Sequence, residues 1–277
     1  MEVLKRILNF YINSSIHVAL SVSAMTWITL IQFGLKYNVD ILCFVFFATI
    51  TGYNFVKYFG VAKFHHRSLA NWLKAIQLFS FVSFLVMCYY ALQLTTDALL
   101  ILSVFGLITF LYAIPLMPMT YFRDSQKNLR EISGLKIYVI AFVWTFTTVF
   151  LPLIDNEINL NTDVVITSIQ RFLFVIVLML PFEIRDLNYD SLKLATLPQR
   201  IGVKNTKIIG VLLLIVFFVL DYFKDELTSD SILSTLFIVC VTLLFVGFSN
   251  KNQPKYYSAF WVESLPIVWL IILLMLG

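Results

Sequence analysis

Charged side chains are scarce in this sequence. Asp, Glu, Lys and Arg make up 13% of its 277 residues, about half the ~25% of a typical soluble domain. Cysteine is scarce too: Cys43, Cys88 and Cys240 all lie inside apolar runs, where single thiols pack as small hydrophobes. Neither a disulfide nor a metal site is expected from them. The acids are also unevenly spread, with none between Asp40 and Asp97. These shortages exclude a secreted disulfide scaffold, a nucleic-acid binder and a disordered chain. What is present in excess is apolar. A, V, I, L, M, F, W, Y and C account for 60% of the chain, and 27 residues are Phe. Mean hydropathy is +0.88. A soluble fold of this length cannot hide that much apolar surface, so the composition indicates a polytopic membrane protein.

A bilayer core of ~30 Å needs ~20 apolar residues in a helix. Nine such runs occur, near 14–35, 39–59, 73–92, 97–117, 135–155, 162–183, 206–223, 230–249 and 258–277. The expected fold is an all-α bundle of nine transmembrane helices forming one domain over residues 1–277. The first run follows Lys5 and Arg6 but continues through Trp27 to Phe33. It is too long for a signal h-region and reads as an uncleaved helix. With the N-terminus and the loops after spans two, four, six and eight on one side, that side carries 17 of the 20 Lys and Arg. The positive-inside rule makes it cytoplasmic. The N-terminus is then inside and the C-terminus outside.

The loop after span six is the most informative polar stretch. Continuing the helix through it puts Glu183, Asp186 and Asp190 within an arc of ~60°. Three carboxylates on one face repel each other unless a cation sits among them. Mg²⁺ takes one or two carboxylates plus substrate phosphates. A solvated acidic face, offset by Lys193 and Arg200, is the other way to read the same spacing.

The string from Glu183 to Gly202 reads E-I-R-D-L-N-Y-D, then T-L-P-x-R-x-G at 196–202. It resembles the second aspartate-rich motif of the UbiA superfamily of intramembrane prenyltransferases, D-x-R-D-x-x-x-D followed by T-L-P, an arginine and a glycine. Asp186, Asp190, Arg185, Thr196, Leu197, Pro198, Arg200 and Gly202 match, and Glu183 replaces the first Asp. The resemblance implies a nine-helix fold and transfer of an isoprenoid group from its diphosphate to a lipophilic acceptor. It implies one or two Mg²⁺ ions held against the diphosphate, here by Glu183, Asp186 and Asp190. The metal offsets the leaving-group charge.

The family's first motif, N-D-x-x-D-x-x-x-D after span two, is degenerate here. Asn54 is retained, but the three Asp positions fall on Phe55, Tyr58 and Ala62. Basic residues crowd the same region: Lys57, Lys63, His65, His66 and Arg67. Lysine is a competent point-charge partner for phosphate. Asn54 and Lys57 are therefore expected to hold the diphosphate, assisted by Arg185 or Arg123. Asp186, Asp190 and Lys57 are the expected catalytic set. A stretch similar to the family's Tyr-Ser-x-Pro segment follows span four and adds Tyr112 and Arg123, with Pro115 between them and Lys127, Arg130 and Lys136 after. Those cations suit either the diphosphate mouth or anionic lipid heads.

Arg171 lies inside span six, where a charge marks a functional interior by default. Either it faces the cavity above Asp186 and binds an anion, or it pairs internally or caps carbonyls. Glu263 is expected to pair with Lys255, and Asp221 to sit at the outer interface. His17, Gln32 and Gln77 read as helix–helix hydrogen-bonding residues. The sequence therefore points to a membrane prenyltransferase with a prenyl diphosphate donor, a lipophilic acceptor and the bilayer as partners. The alternative is a non-catalytic relative that binds isoprenoid or lipid, or supports a membrane complex. A transporter is disfavoured by the odd span count and the lack of an evident repeat.

Overall fold

A computed structural model describes residues 2–64, 71–113, 134–188, 196–225 and 227–277, without side chains at 2, 59–64, 71 and 111–113. Among these residues every regular element is a helix. The elements are α1 (Glu2–Asn13), α2 (Ile16–Gln32), α3 (Val39–Phe64), α4 (Asn71–Ala91) and α5 (Thr96–Ala113). There follow α6 (Leu135–Asp155), α7 (Thr162–Asp186), α8 (Leu197–Val219), α9 (Ser229–Phe248) and α10 (Tyr257–Leu276).

A helix occurs at each of the nine expected segments. Seven of them are long and apolar enough to cross a membrane. The first segment is α2, which pairs with α1 across a 53° bend, and the apolar part of α5 is shorter, Thr96–Phe110. This is an integral, multi-pass membrane protein. The helix α1 was not among the expected segments. Its Val3, Leu4 and Ile7 are exposed next to Lys5 and Arg6, the mixed pattern of a helix lying at an interface.

Hydrocarbon offers backbone and hydroxyl groups no water, so polar groups must find partners within the protein. Helical Ser and Thr accordingly bond back to the carbonyl four residues earlier. Examples are Thr29 to Met25, Thr49 to Val45, Ser80 to Ile76, Ser168 to Val164 and Thr242 to Ile238. The most enclosed long helix is α7: 72% of its span is buried, against 17–50% for the other six. It packs against α6, α8 and α9, and its Phe174 forms an aromatic knot with Phe217 and Trp269. At Gly210, α8 approaches α7 and α9 so closely that a Cβ would lie 2.9 Å from Leu180 and 3.2 Å from Val246.

Two helices carry π turns, Phe146–Phe150 and Tyr257–Val262. Each is followed closely by a proline, Pro152 and Pro266. Proline lacks the N–H for the i−4 carbonyl and crowds it, and a widened turn absorbs the misfit. The T-L-P-x-R-x-G string also has a local cause. Thr196 is extended, Leu197–Pro198 opens α8, and Gly202 interrupts it at φ 78°, ψ 162°, a combination essentially confined to glycine.

Nothing crowds the position of a Cβ at Gly202, so the constraint there is backbone conformation alone. Gly202→Ala is expected to cost about 1–3 kcal/mol. That appears as a lower apparent melting temperature of the purified protein in detergent. An unchanged melting temperature would show that the interruption of α8 is not required.

Candidate functional site

The last turns of α3 and α7 and the first turns of α6 and α10 meet at one end of the bundle, beside the α1–α2 bend. Their charged side chains alternate in sign. On α7, Glu183 is buried at 2% exposure and Asp186 is one turn further out. Lys136 of α6 lies 4.0 Å from Glu183 Oε1 and 3.8 Å from Asp186 Oδ2. Arg185 donates from both Nε and Nη2 to Asp186 Oδ1 at 2.8 Å. Its Nη1 reaches Ser258 Oγ on α10 at 3.0 Å, and its guanidinium stacks over Phe182 at 5.3 Å. Glu263 of α10 interacts electrostatically with both Arg185 and Lys57. Lys57 of α3 closes the series. It is exposed within the mouth, lies 5.8 Å from the centre of the Tyr53 ring and donates to Ser15 Oγ at 2.8 Å. The described residues thus place three acids, Glu183, Asp186 and Glu263, among Lys136, Arg185 and Lys57, with Lys255 also acting on Lys57.

Lys57 is held by a directed relay. Ser15 donates to Asn54 Oδ1 at 2.8 Å. Asn54 Nδ2 gives one hydrogen to Ser14 O at 3.0 Å and the other to Ser80 Oγ at 2.7 Å, and Ser80 donates to Ile76 O. Ser15 has φ 66°, an uncommon conformation for a residue with a side chain. It forms the bend between α1 and α2. Asn54, expected from the sequence to hold substrate, is 3% exposed, and its amide is spent on this bend and on α4. Its observed contacts are structural, and Lys57 is the residue of the pair left open to the mouth.

A second brace lies on the other side of the bend. His17 bonds Phe260 O at 2.9 Å and Tyr11 OH at 2.8 Å, and its ring stacks on Phe260. Ser21 Oγ donates to Glu263 O. Gln253 Nε2 ties the loop before α10 to Pro181 O at 2.8 Å.

Several expected site residues stand elsewhere. Arg171 does not face the mouth. It is 2% exposed, donating to Met25 O at 2.8 Å and Thr29 Oγ1 at 3.1 Å. Fifteen residues of helix, roughly 22 Å at 1.5 Å each, separate it from Asp186. Carbonyl capping is the role found. Asp221, in the turn that closes the span of α8, is 1% exposed and bonded to Lys224 and Gln170. Glu263 has Lys57 and Arg185 as electrostatic partners, in place of Lys255. Asp190, Arg123, Lys127, Arg130, His65, His66 and Arg67 lie outside the described residues, as do the side chains of Tyr112 and Lys63. Two former Asp positions now serve packing. Phe55 stacks on Phe110 at 6.1 Å, and Tyr58 OH donates to Asn13 O at 2.9 Å. Sequence reasoning did not single out Glu263 or Ser15 for the site. A signal was there in each case: an acid one turn before Pro266, and a Ser-Ser pair at the start of the first apolar run.

Among the described residues no three His, Cys, Asp or Glu side chains group as metal ligands. Glu183 and Asp186 do converge on one cationic atom, Lys136 Nζ, each within 4.0 Å. Two hard oxygen donors converging on one point of positive charge fit a single divalent ion that takes its remaining ligands from phosphate and water.

No protein-family model matches the sequence, and no curated protein does. Solved structures match its fold. A UbiA homolog from Aeropyrum pernix K1, determined in its apo state, superposes on 94% of this chain and 97% of its own, with a TM-score of 0.63 and 13% identity. A digeranylgeranylglyceryl phosphate synthase superposes on 100% of this chain and 97% of its own, with a TM-score of 0.58 and 16% identity.

Asn54→Ala would leave Ser15, Ser80 and the Ser14 carbonyl short of buried partners. We expect a loss of about 2 kcal/mol and a lower apparent melting temperature. No loss would mean that the bend holds without the relay.

Proposed function

We propose that this chain, which has the UbiA fold, is an integral membrane prenyltransferase. It moves an isoprenoid group from its diphosphate to a lipophilic acceptor at the end of the bundle where α3, α6, α7 and α10 meet. The basic bias of the loops puts that end on the cytoplasmic side. The observation that carries this reading is the gathering of Glu183 and Asp186 on α7 about Lys136 and Arg185, with Glu263 acting electrostatically on both Arg185 and Lys57, in a UbiA fold. Carboxylates at one wall and a lysine at the other suit a diphosphate bridged to a cation on one side and bound directly on the other.

On this reading Glu183, Asp186 and Asp190 would hold Mg²⁺, which would supply positive charge against the leaving diphosphate. Lys57 takes the place of the acids missing from α3 and binds a phosphate oxygen directly. Its bond to Ser15 Oγ fixes where the ammonium sits. Arg185 is a second cation within reach, already oriented by Asp186 and Ser258. The bond from the allylic carbon to the diphosphate oxygen breaks with its electron pair leaving on oxygen. The acceptor's nucleophile bonds to that carbon and gives up its proton. Fixed cations aimed at the departing oxygens stabilise the charge that develops there.

A second reading has its own support. Phe55 and Tyr58 are built into packing contacts on α5 and α1, which is what a binding protein relieved of catalysis would show. In that case the mouth binds an isoprenoid or lipid phosphate without breaking it.

Both readings can be tested in membranes containing the chain, supplied with labelled geranyl, farnesyl and geranylgeranyl diphosphates and a lipid extract. Mg²⁺-dependent diphosphate release is expected, lost with EDTA and reduced roughly 100-fold or more in Asp186→Ala. Lys57→Ala is expected to raise the donor KM roughly 10- to 100-fold, the worth of one charge-assisted contact. Unchanged donor affinity would remove Lys57 from the site. Donor binding without release from any diphosphate would establish the binding reading.

A further inference from the structure

The half of the bundle away from the mouth encloses a second polar feature. A cavity there, with ≈ 10 Å³ open to a water centre, is bounded by Gln32 of α2, Arg171 of α7, Asp221 beyond α8, Thr235 of α9 and the rings of Phe217 and Trp269. That is room for about one water molecule. Three of the seven buried side-chain atoms without a hydrogen-bond partner, among the described residues, belong to its wall: Gln32 Oε1, Asp221 Oδ2 and Thr235 Oγ1. Asp221 and Thr235 are each 1% exposed. Unpartnered polar atoms are rare in protein interiors, and each one asks for an unseen partner.

The charges select that partner. Arg171 carries five N–H donors and spends donors on Met25 O and Thr29 Oγ1. Asp221 is bonded only through Oδ1, to Lys224 and Gln170. No ion pair within 4.0 Å joins Arg171 to Asp221 among the described residues. A cation placed in the cavity meets Arg171, with Lys224 on the far side of the carboxylate. An anion meets the free Asp221 oxygen. An apolar occupant leaves every orphan unsatisfied, at a cost for each buried group. One neutral molecule of this size both donates and accepts.

We propose that the cavity is a binding site for a single ordered water. It donates to Gln32 Oε1 and Asp221 Oδ2, and accepts from Thr235 Oγ1–H and an Arg171 N–H. The water turns two buried charges into a water-mediated ion pair and pins α2, α7, α8 and α9 together in the half of the membrane away from the mouth. Buried waters commonly make about three such bonds, and removing them is costly.

A structure of the chain in lipid nanodiscs, at a resolution that shows ordered water, tests this directly. The expected result is one density peak within hydrogen-bond distance of Asp221 Oδ2 and an Arg171 nitrogen. An empty cavity, or a direct Arg171–Asp221 contact, would overturn the proposal. A second measurement uses Gln32→Met, Thr235→Val and the double variant, because the two side chains share no direct hydrogen bond in the structure. Each single change is expected to lower the apparent melting temperature by a few degrees. The double variant is expected to fall by less than the two together, since either change already deprives the water of a partner. Strictly additive shifts would overturn it.

Discussion

Everything at this end of the bundle depends on the alternation of charge from Glu183 through Lys136, Asp186, Arg185 and Glu263 to Lys57. Charges at the edge of a low-dielectric slab are tolerated when each has an opposite neighbour and a hydrogen-bonding environment. The six side chains come from four helices that are far apart in sequence. Pairing them fixes how the ends of α3, α6, α7 and α10 stand relative to one another. The helices themselves are held by apolar packing around α7, which would tolerate small rotations. The charges would not, since Asp186 takes two donors from one guanidinium through one oxygen.

The bend between α1 and α2 follows from the same constraint. A break in a membrane helix frees backbone groups that lipid cannot satisfy. Asn54 and the Ser14–Ser15 pair supply the replacements, and Lys57 is anchored to the same serine. This gives Asn54 a part in the fold that does not depend on a metal or a substrate. The amide's contacts are to the fold, so they keep their value whatever stands at positions 55, 58 and 62. Phe55 and Tyr58 fill their part of α3 with contacts to α5 and α1, and Lys57 beside them is the charged residue left exposed.

The helices were legible because a membrane span is specified locally: about 20 apolar residues with polar ends already fix where it lies. The Glu183 to Gly202 string was legible for a similar reason, since a Thr-Leu-Pro helix start and a glycine at φ 78° are properties of adjacent residues. What escaped the sequence is long-range. Glu263 acts electrostatically on Lys57 across about 200 residues, and the brace from His17 to Phe260 spans 243. Arg171 was legible as a buried charge. Its partners, Met25 O and Thr29 on α2, are a carbonyl and a hydroxyl, groups that no charge pattern announces. The helix α1 escaped because mixed polar and apolar positions do not register in a scan for uninterrupted apolar runs.

On the proposed function, the charges at this end also set the terms on which a diphosphate would enter. Lys255 also acts on Lys57, so four cations stand against three acids among the described residues at this end. On the proposed function an entering diphosphate still has to draw Lys57 or Arg185 from its present partners. Lys57 is the easier to recruit: it is exposed in the mouth, and its hydrogen bond is to a neutral hydroxyl that can be kept while a phosphate oxygen approaches. Arg185 is harder, because leaving Asp186 breaks two charge-assisted bonds. A divalent ion entering with the diphosphate changes that balance at the other wall. It offers Glu183 and Asp186 a stronger partner than Lys136, which stands at the limit of ion-pair distance from both. On the proposed function, donor and metal entering together would disturb these pairs less than either alone, and that would couple the α7 acids to Lys57 through the diphosphate.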